Sequence, residues 1–153
     1  MSKISIADYR ALAALRFEIR KFLAFSEQAA RGAGIEPQQH QLLLALRGLP
    51  EGQRPTIRAV AERLCVQHHT AVALVDKLEE RGFLQRERGS YDRREVLLRL
   101  TPDGETVLRG LSAQHRKELR NVGPAMAFAL QEILAPIAVD PPSWVSRTEP
   151  SGA

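Results

Sequence analysis

The chain has one cysteine, Cys65, in 153 residues, so no internal disulfide can staple it. Aromatic residues make up only 5% and there is a single tryptophan, so the core must be built of Leu, Val, Ile and Ala, which suits packed helices. No apolar run approaches the ~20 residues that cross a bilayer. The opening MSKISIADYR lacks the apolar stretch of a leader, so a cytoplasmic protein of a reducing compartment is expected. No Gly-rich phosphate loop and no nucleophile elbow occurs, so an enzyme, a catalytic residue and a cofactor are not expected. The histidines are His40, His68, His69 and His115. His68 and His69 point about 100° apart on a helix, and Cys65 with His69 makes only two ligands, so no metal site is expected.

What is present is ordinary in amount and uneven in placement. Hydrophobic residues are 44%, charged residues 26%, and the net charge is +4. Between residues 81 and 99 stand Arg81, Arg86, Arg88, Arg93, Arg94 and Arg99 against Glu87, Asp92 and Glu95, a net of +3. Such a cluster favours an anionic partner.

Apolar spacing of three and four predicts a long helix over 8–31, apolar on more than one side, ended by Gly32 and Gly34. Pro37 opens a second helix, and residues 49–55 form a loop. Thr56 caps a third helix carrying Ile57, Val60, Ala61 and Leu64. Cys65, Val66 and Gln67 connect it to a fourth, from about His68 to Arg81, with Ala71, Leu74, Val75 and Leu78 on one stripe and Gly82 as a left-handed stop. Residues 83–88 and 95–100 read as two strands around a turn. Thr101, Pro102 and Asp103 start a fifth helix, expected to run to about Val122. Gly123 and Pro124 are expected to break it, and a last helix to occupy about 125–135. The Pro- and Ser-rich residues 139–153 read as a flexible tail.

Helix, helix-turn-helix, hairpin is a winged helix: mainly α, with a small β-hairpin wing. The fourth helix suits the major groove of duplex DNA, with its first residues reaching the bases. Its outward face carries His68, His69, Thr70, Ala73, Asp76, Lys77 and Glu80. Thr56 and Gln67, at the starts of the third and fourth helices, join the expected DNA contacts. The wing supplies Arg86, Arg88, Ser90, Arg93 and Arg94, and arginines on a narrow loop suit the minor groove. Asp92 would be repelled by phosphate. It reads as a splint that holds the Arg94 guanidinium in one orientation, or as an ordinary exposed ion pair.

The run from Asp92 to Gly104, Asp-Arg-Arg-Glu-Val-Leu-Leu-Arg-Leu-Thr-Pro-Asp-Gly, resembles the wing signature of the MarR family of bacterial transcription regulators. Residues 71–84 resemble that family's recognition helix and its exit. The resemblance covers about residues 8–135. The chain departs from the pattern at Cys65, where many members have glycine, and at His68–His69, where small polar residues are common.

The resemblance implies a homodimer whose N- and C-terminal helices interlock, with Tyr9, Leu12, Leu15, Leu130, Ile133 and Leu134 at the interface. Residues 1–35 and 104–138 would form the helical dimerisation region, and 36–103 the DNA-binding lobe. It also implies a repressor on a pseudo-palindromic operator, and a small aromatic or phenolic effector in a cleft lined by Arg16, Arg20 and His40. The same three residues also read as surface arginines and a histidine satisfied at the dimer interface. Cys65 reads as a buried structural thiol, with a thiol-based redox switch beside the recognition helix as the alternative. A winged helix that binds only protein is the rival to DNA binding.

Overall fold

The computed structural model describes residues 3–135, together with Pro142 and Trp144. The tail expected over 139–153 therefore lies outside the described residues, apart from those two positions. The order is α1 (Ile6–Gly32), α2 (Pro37–Arg47), α3 (Ile57–Leu64), α4 (His68–Glu80), β1 (Leu84–Arg88), β2 (Val96–Leu100) and α5 (Pro102–Leu134). This is the winged helix-turn-helix that the sequence pattern predicts.

Every helix except α4 begins with a side-chain cap or a proline that deals with its free amides. Ser5 and Asp8 form a reciprocal capping box at α1. Thr56 and Thr101 accept the N–H groups of Ala59 and Gly104 through their hydroxyls. Three helices end on a left-handed residue whose successor reaches back to the last turn: Gly34 after α1, Cys65 after α3 and Gly82 after α4. Cys65 is the one non-glycine among them, at φ 54°.

The core lies under the helix-turn-helix. Leu42, Leu43 and Leu46 of α2 meet Val60 of α3, Leu74, Val75 and Leu78 of α4, and Leu84 and Leu98 of the hairpin. The hairpin is antiparallel, with Arg86 opposite Leu98 and Arg88 opposite Val96. It is tied to the lobe by the Leu98 N–H, which donates to the Pro55 carbonyl at 2.7 Å. At the start of α5, a Cβ on Gly104 would come within 2.0 Å of the Phe83 carbonyl oxygen, so only glycine allows that approach.

Two expectations are corrected. Gly123 and Pro124 do not break the fifth helix; α5 runs through them as one helix of 33 residues. Proline removes one hydrogen bond, while Val122, Met126, Ala129 and Ile133 keep an inward-facing stripe at helical spacing on both sides of it. Burial of that stripe outweighs the lost bond. Cys65 is exposed, not buried. The left-handed turn ends the α3 stripe at Leu64 and carries the next side chain out to solvent.

α1 packs along α5. Even so, Tyr9, Leu12, Phe17 and Leu23 of α1 and Phe128 and Leu130 of α5 remain exposed. Leu15, Ile133 and Leu134 are half-buried. Ala7, Ala11, Ala14, Ala125 and Phe128 line a groove of about 450 Å³ between these helices, with Arg10, Glu18 and Glu132 among its polar residues.

Candidate nucleic-acid interface

α4 buries Ala71, Leu74, Val75 and Leu78 and turns Gln67, His68, His69, Ala73 and Lys77 to solvent, with Thr70 half-buried at the edge. Gln67 makes no side-chain cap, so the first amides of α4 stay open to an anion at the positive end of the helix dipole. Thr56 is half-buried and its hydroxyl is engaged by the Ala59 N–H.

The wing closes on itself. The Gly89 N–H donates to the Glu95 carbonyl at 2.9 Å, and the Glu95 N–H to the Asp92 carbonyl at 3.1 Å. A Cβ on Gly89 would sit 2.6 Å from the Asp92 carbonyl oxygen, which explains the glycine. Ser90, Tyr91, Asp92, Arg93 and Arg94 are exposed, and Tyr91 at the tip is 97% exposed. Arg88 donates to the Arg93 carbonyl at 3.4 Å.

Asp92 acts on Arg94, but through the main chain. Its Oδ1 accepts the Arg94 backbone N–H at 2.9 Å. The carboxylate thus shapes the turn that presents the arginine and leaves the guanidinium exposed, which the sequence alone did not reveal.

Arg86 is held differently from its neighbours. Its guanidinium donates to Asp76 at 2.5 Å and to Glu79 at 2.9 Å, both on α4. Asp76 and then Glu79 raise its pKa further against the opposing effect of burial. Arg54, in the loop before α3, pairs with Glu95 at 2.6 Å. The pairings occupy Asp76, Glu79 and Glu95, whereas Lys77, Arg93 and Arg94 have no carboxylate partner among the described residues. Sequence reading missed Arg54, Glu79 and Tyr91. An acid one turn beyond Asp76 on the same helix face was the available signal for Glu79.

The residues expected to line an effector cleft do not share one open surface. Arg16 and Arg20 are exposed on α1, while His40 is 1% exposed inside the protein. A separate cleft of about 400 Å³ between α1, α2 and α4 is lined by Glu27, Arg31, Glu36, Gln39, Leu74 and Lys77, among others.

The sequence profile of the MarR family matches residues 33–95. The organic hydroperoxide resistance transcriptional regulator of Bacillus subtilis is 28% identical over 100 residues, 59% of this chain and 68% of that protein. CouR from Rhodococcus jostii, solved bound to p-coumaroyl-CoA, is 26% identical with a TM-score of 0.57, over 78% of this chain and 88% of that one. A MepR mutant from S. aureus bound to an oligodeoxyribonucleotide superposes with a TM-score of 0.63 at 17% identity, over 89% of this chain and all of that one. With an exposed outer face on α4 and an arginine-bearing wing, the chain is similar to transcriptional regulators of the MarR family, whose profile it matches over residues 33–95.

Proposed function

We propose that this protein is a cytoplasmic repressor that binds a pseudo-palindromic operator in duplex DNA as a homodimer. One observation carries the reading: Asp76, Glu79 and Glu95 are taken up by Arg86 and Arg54, which leaves Lys77 on α4 and Arg93 and Arg94 on the wing without a carboxylate partner among the described residues, while the first amides of α4 stay open. In this reading Gln67, His68, His69, Thr70 and Ala73 meet the major groove, with Thr56 and Lys77 at the backbone. Arg88, Ser90, Arg93 and Arg94 enter the minor groove, with Asp92 setting their turn. Arg86 belongs to the interface as its internal brace.

The dimer would cover the exposed apolar surface of α1 and α5, where Tyr9, Leu12, Leu15, Leu130, Ile133 and Leu134 lie. Two copies would then read half-sites about one helical turn apart. A small aromatic or phenolic effector fits the relative that holds p-coumaroyl-CoA; Arg16 and Arg20, exposed on α1, are the candidates to test, and the buried His40 would reach such a ligand only if its surroundings opened.

Fluorescence anisotropy of labelled duplex from upstream of its own gene, against scrambled duplex at several salt concentrations, tests the reading. Selective binding that weakens steeply with salt supports it. No binding to either DNA at low salt would replace it with the protein-binding module.

A thiol-responsive regulator is a second reading, favoured by the exposure of Cys65 at the turn into α4 and by the hydroperoxide-resistance relative. Organic peroxide should then weaken DNA binding of the native protein and spare Cys65→Ser. Equal loss in both would remove Cys65 from consideration.

A further inference from the structure

His40 of α2 and His115 of α5 meet ring to ring, with centroids 4.8 Å apart and planes tilted by 48°. Leu111 offers its carbonyl to His115 Nδ1 at 2.7 Å. A carbonyl only accepts, so in the neutral ring the proton sits on Nδ1 and Nε2 keeps a lone pair. The buried Ser26 hydroxyl of α1 lies 2.7 Å from that Nε2 and donates to it. Phe22 and Phe25 of α1 stand edge-on to the same ring, at 5.8 and 5.4 Å between centroids. Four side chains from α1 and α5 and one from α2 thus close a small, mostly apolar chamber around two basic rings.

Nothing in that chamber is ready to receive a second charge. α1 presents Phe22, Phe25 and Ser26; α5 presents the Leu111 carbonyl and His115; on α2 itself the Gln41 amide lies 3.4 Å from His40 Nδ1. Burial first, and then the neighbouring His115, lower the pKa of His40 to about 4; no charged group on α1, α3, α4 or β2 acts on it. A proton on His40 therefore has no counter-charge and faces another ring that can itself become a cation.

Position makes this consequential. α2 packs against α1 and α5 and also against α3 and α4, so it couples the long helices to the helix-turn-helix. We propose that the His40–His115 pair is an acid-sensitive latch: the neutral rings dock α2 against α1 and α5, and proton uptake at His40 releases that docking. Its consequence for DNA rests on the regulator reading above. A loosened α2 no longer holds two α4 helices at a fixed separation, so operator affinity falls in acid. The latch itself does not depend on that reading.

Amide hydrogen exchange on the free protein between pH 7 and 4.5, corrected for the intrinsic pH dependence of exchange, tests it directly. One proton changes the docking equilibrium by up to about tenfold per pH unit. Protection of α2 should fall at least tenfold in the native protein ahead of α4, and stay flat in His40→Phe. A flat native profile, equal slopes in both proteins, or simultaneous loss in α2 and α4 would overturn the latch. If His40→Phe does not fold, imidazole ¹⁵N spectra of the native protein decide: the latch requires His40 to stay neutral to about pH 5 and α2 signals to shift as it titrates. Titration at the ordinary histidine value with α2 unmoved would refute it. Anisotropy on duplex DNA follows the same pH window. Absence of DNA binding at every pH would sink the regulator reading and leave the exchange data to judge the latch.

Discussion

Glu79 grips Arg86 at two points. One carboxylate oxygen accepts the Arg86 backbone N–H at 2.9 Å, and the other accepts its guanidinium at 2.9 Å. A residue on α4 thereby fixes both the path of β1 and the side chain that leaves it, while Asp76 takes the rest of the guanidinium. The ion pairs tie α4 to the wing, which under the proposed function would lower the ordering cost of engaging two grooves at once.

Arg86→Met should lower DNA affinity about tenfold, roughly 1.4 kcal/mol, without changing the salt dependence. A brace neutralises no phosphate, and the loss comes from geometry. Anisotropy at several salt concentrations separates the two cases. A salt slope reduced by about one unit would mean that Arg86 contacts phosphate after all.

Arg94→Ala should weaken binding more strongly than Arg86→Met and should reduce the salt slope by about one, with the protein still folded by circular dichroism. Asp92→Ala removes a negative charge, yet it should weaken binding about fivefold, because the turn loses a hydrogen bond worth about 1 kcal/mol. Tighter binding by Asp92→Ala would show that charge outweighs turn geometry here.

Cys65→Gly should stabilise the fold by about 1 kcal/mol, since glycine holds the left-handed conformation without the strain of a side chain. Thermal melts of the two proteins would show it as a rise of a few degrees. A lower Tm would mean that the exposed thiol side chain contributes packing that outweighs the strain.

Gly104→Ala should destabilise by about 1–3 kcal/mol or more, because its methyl would overlap the Phe83 carbonyl where α5 is stitched to the end of α4. Urea unfolding gives the value. Gly110→Ala is the control, because a Cβ there meets nothing within 4 Å.

Stability should fall in acid through His40. The unfolded residue takes up a proton near pH 6.5 and the folded one only near about 4. Between those values the unfolded chain binds the extra proton, so His40 contributes fully above 6.5 and loses its contribution as pH drops towards 4, by roughly 3 kcal/mol in total. Urea midpoints at pH 7 and 5 in native protein and His40→Phe measure the difference; equal acid loss in both would assign it to other groups.

The sequence was most legible where periodicity and caps coincided. The stripe Ala71, Leu74, Val75 and Leu78, closed by Gly82, places α4 and its outward face, and Thr101 with Pro102 marks the start of α5. Legibility failed where a local signal competed with burial at a distance. Gly123–Pro124 looks like a stop until α5 is seen to pack along α1 as a whole, with Ala129 buried beyond the proline. Cys65 reads as the last residue of an apolar stripe because spacing says nothing about φ. The bracing role of Arg86 was invisible because it depends on partners ten and seven residues earlier, on a different element. The pairing of His40 with His115 needs the fold itself, since 75 residues separate them.

Pro124 also sets a border. It has no N–H, so the Arg120 carbonyl, one turn earlier in α5, has no helical donor. Arg120, Asn121 and Pro124 are all exposed, so water can fill that place. A surface that covers the groove beside Phe128 must end before this strip or bring a donor of its own to the Arg120 oxygen. The proline thus marks how far along α5 a dry contact can extend.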